Sequence, residues 1–221
     1  MDRAEWLKEK RRLAEVRFDR LWAPIYDDNW GATIAETHQM CIQRFLERCP
    51  SEGLILDAAC GTGKYWPLIL DSGRSIFGVD QSQGMLEQAH AKHPNVPIEK
   101  VGLQEMYFIE AFEAAICMDA MECVFPEDWP QVMSNLYRAI KGGGYCYFTV
   151  ELAAEGDIER DFTKGKEMGL PVLYGESAVE PGYHYYPQME QVREWVRQAG
   201  FNLVEESTGD EYQHFLVRKG S

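Results

Sequence analysis

The sequence contains no long apolar run and no secretion signal. No stretch approaches the ~20 consecutive apolar residues that a membrane-spanning helix needs. The first eighteen residues, MDRAEWLKEKRRLAEVRF, are charged and periodic, and they lack the apolar core and cleavage site of a signal peptide. We therefore predict a cytoplasmic protein with no membrane partner.

Paired cysteines and an excess of positive charge are also missing. None of the six cysteines belongs to a CxxC pair, and none has a histidine at zinc-site spacing. This pattern predicts reduced, buried thiols and no metal site. The formal net charge of −14 repels phosphate backbones, so we predict no nucleic-acid partner. The oligomeric state, monomer or homodimer, stays open.

What the chain does contain is an alternation of strand and helix patterns after residue 50. Apolar runs that end in an acid, GLILDA (53–58), SIFGVD (75–80) and FEAAICMD (112–119), alternate with helical segments. This order predicts βαβ units and a parallel sheet covered by helices on both faces. FNLVEEST and EYQHFLVRK, joined by a turn at TGD, predict an antiparallel hairpin at one edge of the sheet.

Two regions flank or interrupt this pattern. Helical periodicity covers residues 3–22 and again about 29–49, which predicts a helical N-terminal cap over residues 1–50 before a main domain of residues 51–221. Residues 153–187 break the alternation and are rich in glycine. We predict that this stretch is a lid or substrate insertion without regular structure.

The turn after the first predicted strand is the main indicator of a ligand, because ligands of open α/β sheets bind at strand ends. It reads ILDAACGTGKYW, residues 55–66. A Walker A loop would need glycine in place of Ala58 and serine or threonine in place of Tyr65. A dinucleotide fingerprint would need its third glycine where Trp66 stands. The turn therefore fits neither phosphate-binding motif.

The same turn resembles motif I of the class I (Rossmann-like) S-adenosylmethionine-dependent methyltransferases, written [DE]-x-G-x-G-x-G. Asp57, Gly61 and Gly63 match the motif, and Ala59 replaces its first glycine. Asp80 follows Gly61 close to the ~20-residue offset at which an acid meets a ribose. The alternative for Asp80 is to cap the next helix.

The resemblance implies the fold, the cofactor and its contacts. The expected fold is a three-layer sandwich around a seven-stranded, mostly parallel sheet with the C-terminal hairpin. The expected cofactor is S-adenosyl-L-methionine, which leaves as S-adenosyl-L-homocysteine. The acceptor of the adenine amino group stays open between Gln104 and Glu105. The implied cofactor-binding residues are Tyr26, Trp30, Asp57, Ala59, Cys60, Gly61, Gly63, Asp80, Gln81, Met85, Leu103, Gln104, Met118, Asp119 and Ala120.

Candidate acceptor-site residues come from two stretches. PGYHYYP (181–187) combines tyrosines with a histidine, groups that can orient, wall off or deprotonate an acceptor. We predict catalytic roles for Tyr183, His184 and Tyr185, together with Asp119 at the end of the fourth strand. Two carboxylates there, Asp119 and Glu122, suit a cationic or amine acceptor. Glu122 as a cap of the next helix is the equal alternative.

The predicted function is methyl transfer to an oxygen or nitrogen of a small molecule bound under the cap and the lid. A protein or tRNA methyltransferase is one alternative, and a non-catalytic regulatory protein that binds the cofactor is another. An N-P-P-Y tetrapeptide, typical of enzymes that methylate exocyclic or amide nitrogens, is absent after the fourth strand. His38 in the N-terminal helix could face the same cleft, but an ordinary histidine on the helix surface is the favoured prediction.

Overall fold

A central sheet of seven strands organises the protein, whose computed structural model describes residues 2–31, 33–178 and 182–221. The strands of this sheet are β1 (Leu54–Ala58), β2 (Ser75–Asp80), β3 (Ile98–Lys100), β4 (Phe112–Cys117), β5 (Ile140–Glu151), β8 (Phe201–Gly209) and β9 (Tyr212–Lys219). Their spatial order is β3-β2-β1-β4-β5-β9-β8. A separate two-stranded pair joins β6 (Glu176–Ser177) to β7 (His184–Tyr185).

The direction of the strands defines the ligand crevice. The first five strands pair in parallel, and β9 runs antiparallel to both β5 and β8. Because β1 lies between β2 and β4, the strand order reverses at β1, and ligands of such sheets bind beyond the carboxyl ends at that point. The predicted mostly parallel sheet with an antiparallel C-terminal hairpin is confirmed.

Helices cover both faces of the sheet. They are α1 (Arg3–Arg17), α2 (Glu36–Arg48), α3 (Trp66–Leu70), α4 (Gln83–Lys92), α5 (Trp129–Ala139), α6 (Glu155–Glu167) and α7 (Met189–Gln198). On one face Trp129 of α5 stacks on Trp195 of α7, with ring centroids 4.9 Å apart. On the other face Phe45 of α2 and Trp66 of α3 are fully buried. Because each strand is a continuous apolar run, both faces of the sheet are apolar. Helices therefore pack on both faces, which gives three layers.

The N-terminal cap is less regular than its periodicity predicts. The α-helical part of the first helix ends at Arg17, and Phe18–Trp22 and Asp27–Gly31 form separate π-helical turns. The second helix begins at Glu36, so the predicted start near residue 29 is wrong. Hydrophobic spacing continues through these turns, and periodicity alone therefore could not separate them from the helix that follows.

The segment 153–187 has regular structure, contrary to the prediction. It forms α6 and the β6–β7 pair, while its residues 179–181 lie outside the described part. Glu155 and Asp157 in the first turn of α6, with Lys164 and Lys166 in the last turn, complement the helix dipole. Charge placement along the helix thus explains a structure that the glycine content concealed.

All six cysteines are free thiols. Four are buried, while Cys41 and Cys123 are half-buried. Among the described residues, no group of three or more His, Cys, Asp and Glu side chains could hold a metal ion. None of the described helices has the length and apolar character that crossing a bilayer requires.

Candidate cofactor and acceptor site

The glycine turn leaves an open space beside its backbone at the end of β1. Ala59, Gly61 and Gly63 all have positive φ angles, 61°, 53° and 75°. A Cβ on Gly63 would lie 2.7 Å from the ring of Trp66, whereas a Cβ on Gly61 would meet no atom within 4 Å. Gly63 is therefore required for packing, and Gly61 borders a cradle that can admit a ligand. Ala59 adopts the same left-handed backbone where the motif usually has glycine.

Asp80 joins the ends of the first two strands. Its Oδ2 accepts a hydrogen bond from the Gly61 amide at 2.9 Å, and its Oδ1 accepts one from the Ser82 amide at 2.8 Å. The N-cap of α4 is Ser82, whose hydroxyl accepts from the Met85 amide at 3.1 Å. Asp80 is therefore not the helix cap, and its carboxylate is fixed at the mouth of the crevice. Burial raises the pKa of Asp80, and the two amides oppose that effect.

Asp57 lies beneath the turn, not in its opening. Its Oδ2 accepts a hydrogen bond from Nε1 of Trp66 at 2.7 Å. Burial raises the pKa of Asp57 to about 7, and the nearby charges of Asp80 and Asp119 act in the same direction. Gly78 on β2 makes room for the indole, because a Cβ there would lie 2.6 Å from the ring of Trp66. The tryptophan that breaks the dinucleotide pattern thus supports the turn from below.

The N-terminal segment crosses the crevice and is attached on both sides. Asp19 accepts a hydrogen bond from the Ser82 hydroxyl at 2.6 Å, at the start of α4. Asp27 accepts one from the Thr62 hydroxyl at 2.6 Å and lies 2.7 Å from Nζ of Lys92. Two short acidic contacts therefore hold this segment over the glycine turn.

Tyr26 is the residue of that segment on which the charges at the end of β4 act. Burial and the charges of Asp119 and Glu122 raise the pKa of Tyr26, which places its hydroxyl within electrostatic reach of the end of β4. Its ring packs against Trp30 at 5.3 Å, and Trp30 in turn packs against Trp22 at 5.2 Å. Trp30 is 46% exposed and supports Tyr26 from the outside.

A buried asparagine positions the loop predicted to line the adenine. Nδ2 of Asn135 on α5 donates to the backbone carbonyl oxygens of Leu103 and Gln104, at 2.9 and 3.0 Å. Its Oδ1 accepts from Gln131 and Arg138. Sequence reasoning missed Asn135, because a lone asparagine in an amphipathic helix carries no recognisable signal. Among the other predicted cofactor contacts, Met85, Met118 and Cys60 are buried, and Gln81 and Ala120 are half-buried.

Asp119, at the end of β4, is already fully engaged. Its Oδ1 lies 2.9 Å from Nε2 of His38 and its Oδ2 accepts from the Tyr65 hydroxyl at 2.5 Å. Its amide donates to the Thr149 hydroxyl at 2.8 Å, and Nζ of Lys64 is 3.9 Å away. Burial favours the protonated form, yet the hydrogen bond and charge of His38 hold the pKa of Asp119 below its ordinary value.

The prediction for His38 is wrong, since the side chain is only 3% exposed. Its ring stacks on Tyr65 with centroids 6.0 Å apart, and it meets the edges of Tyr212 at 5.1 Å and His214 at 4.8 Å. The imidazole therefore connects α2 to Asp119 and to strand β9. A helix wheel could not show this, because every partner comes from another element.

The predicted catalytic tyrosines of the insert do not all face the crevice. The Tyr183 hydroxyl donates to Oε1 of Glu176 at 2.6 Å, and its ring packs on Phe125 at 4.5 Å and Trp6 at 6.2 Å. Tyr183 is thus a packing residue that links the insert to α1, and its placement gives no support to a catalytic role. Tyr185 is also buried, beside Gly175.

His184 lies near the end of strand β5. Its Nδ1 is 2.8 Å from Oε2 of Glu151 and 3.0 Å from the hydroxyl of Tyr186. Burial and the charges of Glu151 and Glu122 raise the pKa of Tyr186, so this tyrosine belongs to the same acidic surroundings. Strand β7 and the residue after it therefore bring His184 and Tyr186 next to Glu151 at the end of β5.

Glu122 lies in a short 3₁₀ turn, Met121–Cys123, directly after β4. It is 5% exposed, and burial raises its pKa well above the ordinary value, with Asp119 and Glu151 adding to the effect. The N-cap of α5 is Asp128, so Glu122 does not cap that helix. The helix-capping alternative for Glu122 is therefore wrong.

Comparison with known proteins identifies this arrangement. Residues 55–144, which contain the glycine turn and Asp80, match the family model described as a methyltransferase domain. A probable S-adenosylmethionine-dependent methyltransferase of Mycolicibacterium smegmatis is 28% identical over 108 residues, 48% of this chain and 41% of that protein. The matched residues are therefore a methyltransferase domain, and the chain resembles the class I S-adenosylmethionine-dependent methyltransferases. The cofactor of this methyltransferase family is S-adenosylmethionine.

Two further methyltransferases show the range of the similarity. A tRNA (carboxymethyluridine(34)-5-O)-methyltransferase of Arabidopsis thaliana is 32% identical over 143 residues, 64% of this chain and 34% of that protein. The crystal structure of a magnesium protoporphyrin IX methyltransferase from Synechocystis with bound S-adenosylhomocysteine has a TM-score of 0.70 at 15% identity, covering 96% of this chain and 100% of that one. The chain thus spans less than half the length of these two curated relatives, and the structural match shows the fold.

Proposed function

We propose that the protein transfers a methyl group from S-adenosylmethionine to an oxygen or nitrogen of a small molecule. The observation that carries the proposal is the hydrogen bond between Asp80 and the Gly61 amide, beside the open space over Gly61. The cofactor supplies a methyl group on a sulfonium, which is already a good leaving group. The chain therefore has to bind, orient and exclude water.

In this proposal the cofactor spans the ends of three strands. Asp80 accepts hydrogen bonds from the ribose, and the loop fixed by Asn135 lines the adenine. Residues at the end of β4, including Met118 and Ala120, border the methionine end. The remaining cofactor roles are those expected for Gln81, Met85, Leu103 and Gln104.

A small acceptor is favoured by how much of the crevice is covered. The N-terminal segment is attached at Asp19 and Asp27, and the β6–β7 insert adds His184 and Tyr186. The net charge of −14 also disfavours a nucleic-acid acceptor. The names of similar proteins refer both to a porphyrin and to a tRNA, so the acceptor class has to be measured.

The first experiment measures cofactor binding and acceptor turnover separately. Calorimetric titration should show binding of S-adenosylmethionine and S-adenosylhomocysteine but not of NAD, because Trp66 fills the space that a third glycine would leave. Formation of S-adenosylhomocysteine is then measured with pools of small metabolites, with tRNA and with protein extract. Turnover with tRNA or protein alone would overturn the small-molecule assignment, and binding without turnover for every pool would favour a regulatory protein.

A further inference from the structure

One oxygen of a buried carboxylate on the acceptor side has no hydrogen-bond partner among the described residues. Glu122 is 5% exposed, and among the described residues its Oε2 has no hydrogen-bond partner. An unpaired carboxylate in the interior is costly, because burial removes hydration without replacing it. Asp119 beside it is engaged by His38 and Tyr65. Glu122 is therefore the free acidic group at the end of β4.

The surroundings of Glu122 are acidic, and among the described residues it forms no ion pair. Glu151, at the end of β5, and Asp119 both raise the pKa of Glu122 through their charge. Nζ of Lys64 lies 3.9 Å from Asp119, and the charge of Arg17 acts on the neighbouring Cys123, yet within the described ranges neither cation forms an ion pair with Glu122. A positive charge brought by a ligand would relieve this local repulsion.

Tyrosine side chains lie within electrostatic reach of the same group. The 3₁₀ turn that carries Glu122 packs against β5 and β7. The charge of Glu122 also contributes to the raised pKa values of Tyr26, Tyr186 and Tyr212, which keeps these tyrosines neutral. Tyr212 is the register partner of Glu151 across the β5–β9 pairing. Neutral aromatic faces attract organic cations, and the attraction grows when water is excluded.

The chemistry of the site favours an organic cation over a metal ion. Within the described ranges, no group of three or more His, Cys, Asp and Glu side chains is arranged to hold a metal. Separated carboxylates among tyrosine rings suit instead a larger cation with a dispersed charge.

We propose that the methyl acceptor carries an ammonium group, which Glu122 binds directly between Tyr26, Tyr186 and Tyr212. This inference rests on the proposed function, because it assigns the acceptor class of the same crevice. It also gives Glu122 a role distinct from Asp119, whose two oxygens hold His38 and Tyr65 in place.

The test uses a charged probe and its neutral isostere. Choline carries a positively charged quaternary nitrogen where 3,3-dimethylbutan-1-ol has a neutral carbon, and the two molecules have the same shape. Each is titrated into the protein saturated with S-adenosylhomocysteine. We expect choline to bind roughly tenfold more tightly, and Glu122→Gln to remove most of that preference. The control Glu159→Gln makes the same charge change on the exposed side of α6 and should retain the preference for choline.

The affinity for S-adenosylhomocysteine distinguishes the outcomes. Glu122→Gln should leave it unchanged, which also shows that the variant is folded. If the variant does not fold, Tyr212→Leu serves instead and should weaken choline binding more than binding of the neutral isostere. Equal affinity for both probes would overturn the inference, as would an equal loss of choline and cofactor binding, which would assign Glu122 to the cofactor. Failure of S-adenosylhomocysteine to bind the wild-type protein would overturn the proposed function itself.

Discussion

The carboxylate of Asp80 combines two tasks at the scale of a single residue. It accepts hydrogen bonds from two backbone amides and so joins the glycine turn to the start of α4. In the proposed complex the same two oxygens also accept the ribose hydroxyls. One side chain thus fixes the turn and recognises the ligand that the turn binds.

Asp80→Asn should weaken binding of S-adenosylhomocysteine by at least about 1 kcal/mol. The amide keeps only one acceptor atom, and charge-assisted hydrogen bonds are stronger than neutral ones. Calorimetry measures the affinity, and thermal unfolding shows whether the variant is folded. An unchanged affinity in a folded Asp80→Asn protein would remove the ribose assignment.

Asp57 should make the stability of the ligand-free protein fall between about pH 4 and pH 7. Its pKa is raised to about 7 in the folded state by burial, against 3.8 for the free group. In this window the unfolded chain loses the proton and the folded protein keeps it, so the unfolded state binds fewer protons and stability declines as pH rises.

The variant Asp57→Asn isolates this contribution. Its carbonyl oxygen can still accept the hydrogen bond from Trp66, while the titrating group is gone. Urea unfolding of both proteins is measured across the window, and we expect the wild type to lose stability relative to the variant as the pH rises. A constant difference at all pH values would show that Asp57 does not titrate there.

At the scale of elements, the N-terminal segment is a cover that depends on a few surface contacts. Asp19 and Asp27 attach it to α4 and to the glycine turn, and Tyr26 lies between them. The π-helical turns at Phe18–Trp22 and Asp27–Gly31 supply the irregular backbone that this crossing requires. Such weakly attached segments are suited to open for ligand exchange.

Asp27→Ala should increase the dissociation rate of S-adenosylhomocysteine by roughly threefold, with little change in stability, because exposed ion pairs contribute only about 0–1 kcal/mol. Stopped-flow measurement gives the rate. The control Glu15→Ala removes another exposed pair of the N-terminal region, with Lys100, and should leave the rate unchanged. Equal acceleration in both variants would argue against a specific role of Asp27.

At the scale of the whole molecule, one ion pair joins the N-terminal helix to the insert of residues 153–187. Both oxygens of Glu176 accept hydrogen bonds from Arg3, at 2.8 and 2.9 Å, and Glu176 is 1% exposed. Arg3 also donates to the carbonyl oxygen of Pro171 and pairs with Glu127. The N-terminal helix, the insert and the turn before α5 therefore form one connected body.

Arg3→Met should destabilise the protein by about 3 kcal/mol or more, because it leaves the buried carboxylate of Glu176 without its counter-ion. Adding Glu176→Gln to the Arg3→Met protein should restore part of the lost free energy of unfolding. Urea unfolding gives the free energies, and Arg12→Met, which removes an exposed pair with Glu9, is the control and should cost under about 0.5 kcal/mol. A loss as small as that of the control would show that the pair does not hold the insert.

Much of the fold could be predicted because each element carries its own pattern. The strand at 75–80 was predicted with the bounds that the structure shows, and the C-terminal hairpin with its turn. Predictions failed where tertiary contacts override local patterns. Gly165 and Gly169 indicated an irregular segment, yet Gly165 packs tightly beside Val172 and Gly169 ends the last turn of α6.

The sequence by itself determined the sheet, the glycine turn and the resemblance to a methyltransferase family, since apolar runs, a period of 3.6 and a motif of a few residues are all local. Only the tertiary structure decided which side chains meet in the crevice. His38 reaches Asp119 across 81 positions, and Asn135 reaches Leu103 across 32. Glu122 is left unpaired by the same packing. The physical reason is that hydrogen bonding and burial depend on which strand ends lie side by side, and no local pattern records that.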